Sequence, residues 1–576
     1  MRRLLSAVAV LVITAILAGD AAPKSLSPPS VVVKASDRFP SSLVPAWSTV
    51  FFRTDYGQGP YAFSEHLVFM PEDAEEEEVA AAYIRNTQTG EIKAIIPPIL
   101  GYELTEAGFT NKSLVVVFDA HESGDRLLVG FNPYSGQELW RTHVLASGSN
   151  SDDVTVLSPD NMIVPDGVLV VDSSDRYLIG FDPTTGHEAW RRRLPDSCTN
   201  AVEARVVAVI LRDCENGSVN LTAINTRTGQ EVWGANVALS GQESTPRTFE
   251  MAPEGEVVVS LGYTYRIYAP DGRQLVEDRS SQAWDFGGNE RTMVVLAQSG
   301  DSPHDTELRG IDRHSGRTIW TRNDPSIRAA DYTSKLLTAG GLLLGEADWG
   351  NLRHLWPFPY FVAVIDPADG ATRKLPVPLS SSAVTLVGAT GKHLFIRHNS
   401  SDGQRVTAYR ALSSELQNAP ELGGVAPSSW PDACALTLPS DLAVLSKSYK
   451  VYPRIWHLDD IAFPKPVRCD FVPPTDRDRP VSLTIVWVAR SEDEASGLVE
   501  SSLYDEEGFE RGFTELAPGV HQIPGPRLDA KKDTALIMSG RVIMTLTVHG
   551  SPRGLRKIAR KVAKNMDHRL EGFPVR

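Results

Sequence analysis

From about residue 46 to about residue 415 the chain alternates short apolar runs with polar turns, at a spacing that suits strands rather than helices. One unit shows the pattern. Val168–Val171 is a β-rich run, 173–175 a turn, Arg176–Phe181 a second run, 182–186 a second turn, and His187–Arg193 a third run. The second turn recurs along the chain. Asp182-Pro183-Thr184-Thr185-Gly186 is followed four residues after its Gly by Trp190. Near-copies carry Gly136 with Trp140, Gly229 with Trp233, and Asp312, Gly316 and Trp320. Ile84–Ala94 and Val364–Lys374 keep the turn but lose the Trp, and Tyr268–Val276 is a shortened copy. The turn glycines, Gly90, Gly136, Gly186, Gly229, Gly272, Gly316 and Gly370, are spaced 46, 50, 43, 43, 44 and 54 residues apart. Such a period fits one four-stranded propeller blade. In each turn an Asp or Asn accepts from backbone N–H groups just ahead, and the Gly takes a positive φ at no steric cost. The Trp falls on the last strand, where it fills the gap between neighbouring blades.

After this region the pattern changes. Residues 412–431 are rich in Ser, Gly and Pro and read as a linker. From 432 to 576 helical and strand-like segments alternate, predicting a smaller α+β domain. Asp432–Leu445 reads as helical, Tyr449–Val451, Arg468–Val472 and Val481–Ala489 as strands, and Ser491–Leu503 as a helix. Strands follow at Asp533–Ser539 and Arg541–Val548. A final helix opens at Ser551-Pro552 and carries Leu555, Ile558, Ala559, Val562 and Met566 at helical spacing. Its many Lys and Arg residues allow two readings, a membrane- or partner-facing helix or a helix whose apolar stripe packs on the domain's own sheet.

The beginning of the chain is different again. Arg2 and Arg3 precede the apolar block Leu4–Gly19, and small residues follow it. Residues 1–22 therefore read as an export signal cut after Ala21 or Ala22, with an uncleaved anchor as the alternative. No Cys follows the block, so it is not a lipoprotein signal. Residues 23–45 read as a linker and 46–411 as the propeller. For an exported chain, an even set of cysteines suggests disulfides. Of the three pairings open to Cys198, Cys214, Cys434 and Cys469, closeness in sequence favours Cys198–Cys214 and Cys434–Cys469. The net charge of −15 gives no reason to hold nucleic acid.

The Asp-Pro-x-Thr-Gly-x-x-x-Trp element resembles the repeat of the quinoprotein-like β-propellers. That family includes pyrroloquinoline-quinone (PQQ) dehydrogenases and non-catalytic envelope proteins that assist outer-membrane protein assembly. The resemblance implies seven or eight blades, with eight favoured. An eighth hairpin is expected at His393–Ala411, and the run Ser48–Arg53 is expected to join the last blade and close the ring. Residues 432–576, through Asp432-Ala433-Cys434-Ala435-Leu436 and Cys469-Asp470-Phe471, resemble secreted or lipoprotein-type sensor domains of actinobacterial envelopes. That likeness strengthens the Cys434–Cys469 pairing and implies a ligand- or protein-binding module.

A PQQ dehydrogenase needs Ca²⁺ ligands beside the quinone and a general base. Asp152, Asp153, Asp172, Asp285 and Glu290 are scattered candidates that the sequence does not assemble. Metalloprotease, P-loop and dinucleotide motifs are missing. Gly148–Ser151 is a polar loop, Asp285-Phe286-Gly287 lacks any kinase context, and His457-Leu458-Asp459-Asp460 reads as a surface loop. The acidic run Glu72–Glu78 reads as solvated. The expectation is an exported, non-catalytic propeller that binds protein or small-molecule partners in the cell envelope, with no catalytic or metal-ligating residues assigned and no cofactor. The alternatives are a PQQ-dependent oxidoreductase using Ca²⁺, or an extracytoplasmic sensor using the C-terminal domain.

Overall fold

A computed structural model describes most of residues 42–570. Outside it lie 1–41, 52–61, 73–80, 121–125, 145–168, 238–245, 299–305, 324–335, 348–359, 378–383, 413–424, 504–513, 524–531, 571–576 and shorter internal stretches. The export signal, most of both linkers, the run Asp73–Glu78, Gly148–Ser151, Asp152, Asp153, Asp459 and Asp460 fall outside the described residues.

Up to Leu412 the chain is almost entirely antiparallel sheet, arranged as a propeller. In chain order the sheets cover 62–96 (sheet 1), 102–144 (sheet 2), 169–193 (sheet 3), 198–237 (sheet 4), 246–278 (sheet 5), 282–322 (sheet 6), 337–377 (sheet 7) and 385–412 (sheet 8). The expectation of seven or eight blades, with eight favoured, is corrected to six complete blades among the described residues. Six sheets consist of four consecutive strands, sheet 3 has three described strands, and sheet 8 is a composite. Its fourth strand is Ser42–Phe51, paired antiparallel with Gly403–Leu412. The chain's first described strand thus sits beside the last strand of the propeller. The reason is stereochemical: an open last sheet leaves a row of backbone donors and acceptors unpaired, and borrowing a strand satisfies them.

The core runs between the sheets. Val115, Trp140, Leu178, Ile179, Ala208 and Ile210 form one buried cluster that joins sheets 2, 3 and 4. Val68 and Met70 of sheet 1 pack with Phe395, Val406 and Ala408 of sheet 8.

Beyond the propeller, seven strands form one antiparallel sheet. Its order is 450–454, 468–472, 481–488, 542–549, 532–539, 520–523, 514–517. The region expected to be helical over Asp432–Leu445 breaks into a short helix α1 (Ala433–Leu436) and a 3-10 turn at Pro439–Leu442. Pro439 cannot donate into a continuing helix and opens the second turn instead. Helix α2 covers Glu492–Leu503 and α3 covers Pro552–Leu570. The stripe Leu555, Ile558, Ala559, Val562 and Met566 is buried, so α3 packs its apolar face on the sheet. Cys434 and Cys469 are joined by a disulfide that ties α1 to the strand Arg468–Val472. Helix α2 packs against the strand His393–Ser400 of sheet 8, and Arg490 donates to the Pro45 carbonyl at 2.9 Å.

Candidate functional site

Each repeat turn is built by one local circuit. The Asp182 carboxylate accepts from the Thr184 N–H at 2.7 Å, and the Gly186 N–H returns to the Asp182 carbonyl at 2.7 Å. Gly186 sits at φ +68°, where a side chain is strained. Asn132 with Gly136, Asn225 with Gly229, and Asp312 with Gly316 repeat the circuit.

The turn of one sheet is the receptor for the Trp of the sheet before it. The Trp140 indole N–H donates to the Pro183 carbonyl at 2.7 Å, and its ring lies against Gly186. Trp190 bonds the Thr226 carbonyl at 2.6 Å, Trp233 that of Pro270 at 2.7 Å, and Trp320 that of Pro367 at 2.9 Å. Sequence reading missed a fifth member. Trp47, on the strand borrowed by sheet 8, donates to the Thr87 carbonyl of sheet 1 at 2.9 Å and lies over Gly90. Its signal was the string Trp47-Ser48-Thr49, which echoes Trp140-Arg141-Thr142 without the preceding turn. These locks are structural. They hold the sheets so that the intervening loops have a fixed frame.

Sheets 1 and 7 carry Ala94 and Lys374 at the Trp position, and the seam after sheet 5 departs from the rule as well. At the repeat's Trp position sheet 5 has Val276, and on sheet 6 Arg309 occupies the place held by Val129 and Ile179 in sheets 2 and 3. The Gly316 turn settles directly on the Leu275 backbone. Beside it opens a cleft of about 530 Å³ lined by Tyr265, Val276, Glu277, Asp278, Arg309 and Thr318. The Arg309 guanidinium bonds Asp278, Glu307, the Tyr265 hydroxyl (3.1 Å) and the Ser281 hydroxyl (3.0 Å). It also lies over the Tyr265 ring, 6.0 Å from its centroid. Burial pushes the Tyr265 phenol above its ordinary value, so it is a poor proton donor at neutral pH. Hydrogen bonds from Arg279 and Arg266 hold the Glu277 carboxyl below its ordinary value against the effect of burial. Among the described residues the cleft's carboxylates are matched by the Arg266, Arg279 and Arg309 guanidinium groups. Sequence reading did not find the cleft because Asp278 and Arg309 are 31 residues apart.

Asp152 and Asp153 lie outside the described residues, and the other acids considered for Ca²⁺ and quinone do not come together. Asp285 accepts from the backbone N–H groups of Phe286 and Leu336, Glu290 is exposed on a turn, and Asp172 lies on a strand of sheet 3. No group of three or more His, Cys, Asp or Glu side chains converges among the described residues. A different acid is perturbed. Burial pushes Glu106, on the first strand of sheet 2, from 4.5 to about 8, with Arg126 opposing and Asp119 adding. Arg126 is itself clamped by Asp119 at 2.6 and 2.9 Å. Among the cysteines, Cys214 is disulfide-bonded and the backbone register sets Cys198 opposite it.

Residues 97–322 and 220–374 match the family model described as outer membrane protein assembly factor BamB. No curated protein sequence matches the chain. Among solved structures, BamB from Moraxella catarrhalis is similar at 16% identity over 64% of this chain and 97% of that one, with a TM-score of 0.36. Quinohemoprotein alcohol dehydrogenase from Comamonas testosteroni matches at 10% identity over 68% and 81%, with a TM-score of 0.41. The Dos1 propeller matches at 12% identity over 65% and 96%, with a TM-score of 0.41.

Proposed function

We propose that this chain is an exported protein of the cell envelope whose propeller is a non-catalytic scaffold for binding other proteins. The observation that carries the reading is the use made of the repeat. Its Trp, Asp/Asn and Gly residues are committed to locking sheet to sheet through the Trp47, Trp140, Trp190, Trp233 and Trp320 bonds. What is left open at the Val276–Arg309 seam is a recognition cleft. The family model matched by residues 97–374 is described as an outer-membrane assembly factor, which supports a role in assembling envelope proteins. In this reading the propeller is a closed ring, which the pairing of Ser42–Phe51 with sheet 8 and the Trp47 bond to sheet 1 support. Export through residues 1–22 belongs to the same proposal, and no helix among the described residues is long and apolar enough to cross a membrane.

The test is cross-linking in the intact envelope, then affinity purification and mass spectrometry. Reproducible proteins cross-linked to one end of the propeller are the expected result. An absence of protein partners overturns it. PQQ with Ca²⁺ is the titration that then distinguishes an oxidoreductase, and a small molecule bound within 432–576 distinguishes a sensor.

A further inference from the structure

The seven-stranded sheet ends in an unusual edge. Among the described residues, strand Lys450–Arg454 has a neighbour on one side only, Arg468–Val472, and all five of its residues are exposed. Large apolar side chains crowd there. Val451 is 38% exposed, Tyr452 42%, Val472 41% and Ile455, just past the strand, 58%. Alternation along a strand puts Lys450, Tyr452 and Arg454 on one face, with Val472, Asp470 and Arg468 beside them in register. The same patch is cationic within an acidic chain. Arg454 and Arg468 both bond Asp470, at 3.3 and 2.7 Å, so two guanidinium groups share one carboxylate. Lys450 makes no ion pair among the described residues.

A free strand edge carries unpaired N–H and C=O groups and is a template for one more strand. We propose that Lys450–Arg454 takes an extended segment of a partner protein by strand addition, the segment carrying an acidic residue, an apolar residue and a second acidic residue at alternate positions. The acids face Lys450 and Arg454, and the apolar residue covers Tyr452. Opposite charges placed across a strand pair favour association and like charges oppose it. That same rule disfavours a second copy of this chain. Antiparallel self-pairing about Tyr452 sets Lys450 opposite Arg454 twice. Pro453 has no N–H, which shortens the run of donors and suits a short guest rather than open-ended sheet growth. This deepens the scaffold reading and rests on it for the existence of a partner, while placing a contact away from the propeller.

The test uses the full chain and two labelled synthetic peptides, acetyl-Thr-Glu-Thr-Val-Thr-Glu-Thr-amide and its counterpart with Lys at both Glu positions. Fluorescence anisotropy should show the acidic peptide binding at least about tenfold more tightly than the basic one. The double substitution Lys450→Glu, Arg454→Glu should reverse that preference, and Tyr452→Ala should weaken the acidic peptide about tenfold. Hydrogen exchange should slow at Val451 and Ile455 on binding, which mere ionic adhesion does not produce. Equal binding of both peptides, a preference unmoved by the charge reversal, or no change in exchange overturns the proposal. All three substituted side chains are exposed, and circular dichroism checks that the fold persists. Peptides that do not bind while envelope partners are still recovered on the propeller overturn this contact and leave the scaffold reading standing.

Discussion

Replacing Trp140 by Ala tests whether the indole locks hold the propeller together. Trp140 is 8% exposed and sits between Gly130 and Gly186, neither of which has a side chain to refill the space. Removing roughly 150–200 Å² of buried aromatic surface at about 25 cal/mol/Å² gives about 4–5 kcal/mol. The lost N–H bond adds about 1 kcal/mol. The Pro183 carbonyl is not stranded, because it also accepts from the Ser113 hydroxyl at 2.8 Å. A denatured chain that already buries some surface lowers the total. The expected cost is therefore about 3–5 kcal/mol, in the usual range for truncating a buried aromatic residue. Trp140→Phe keeps most of the ring and should cost about 1–2 kcal/mol. Leu139→Ala is the control. Leu139 is the next residue on the same strand but is 47% exposed, and its loss should cost under about 0.5 kcal/mol. Urea unfolding followed by far-ultraviolet circular dichroism reads all three. If Trp140→Ala and Leu139→Ala shift the midpoint equally, the lock contributes nothing and the reasoning fails.

Gly186→Ala should cost about 2–4 kcal/mol, because the turn requires φ +68° and the new carbon would lie 2.4 Å from the Trp140 ring. Gly101→Ala, at φ +82° with open space around it, should cost only about 1 kcal/mol, and equal thermal shifts for the two would refute the steric part. Replacing Cys434 and Cys469 by Ala should lower stability by about 2–4 kcal/mol, as expected for opening a loop of 35 residues, and chemical denaturation with and without reductant checks it. Glu106 has a folded-state pKa raised by burial from 4.5 to about 8, so its ionisation opposes folding. The wild type should lose stability relative to Glu106→Gln as pH rises from about 4.5 to about 8, by up to a few kcal/mol. Unfolding midpoints at pH 5 and pH 8 that keep a constant gap between the two proteins would contradict this.

The turns were legible in the sequence because their chemistry is local. Asp182 and Gly186 meet within five residues, so composition and spacing reveal them. The strand Arg468–Val472 and helix α2 were legible for the same reason, from apolar runs and an acidic first turn. The Trp residues were recognisable as fillers, but their acceptors were not, because Trp140 and Pro183 are 43 positions apart. Trp47 lacked the turn that marks the other copies. The Arg309 cluster was hidden for a physical reason too. Asp278, Glu307 and Arg309 look like ordinary surface residues in sequence, and only the fold brings them together beside the cleft at Val276. Asp441 is similar. Burial raises its carboxyl, and hydrogen bonds from Arg569, the Leu438 N–H and Asn565 outweigh that and leave it below its ordinary value. Two of those three donors come from α3, more than 120 residues away.

The borrowed strand also sets an order of events during folding. Ser48 and Thr407, which meet through their hydroxyls at 3.0 Å, are separated by 359 residues. Ser42–Phe51 leaves the ribosome early and waits for Gly403–Leu412, and Arg490 reaches Pro45 later still. Local hairpins form quickly, but contacts of such long sequence separation make the final closure slow. Until then both rims of the open sheet array stay unpaired, and a newly made chain is vulnerable to sticking to its neighbours. A truncation that removes Ser42–Phe51 would leave that vulnerable interval without an end.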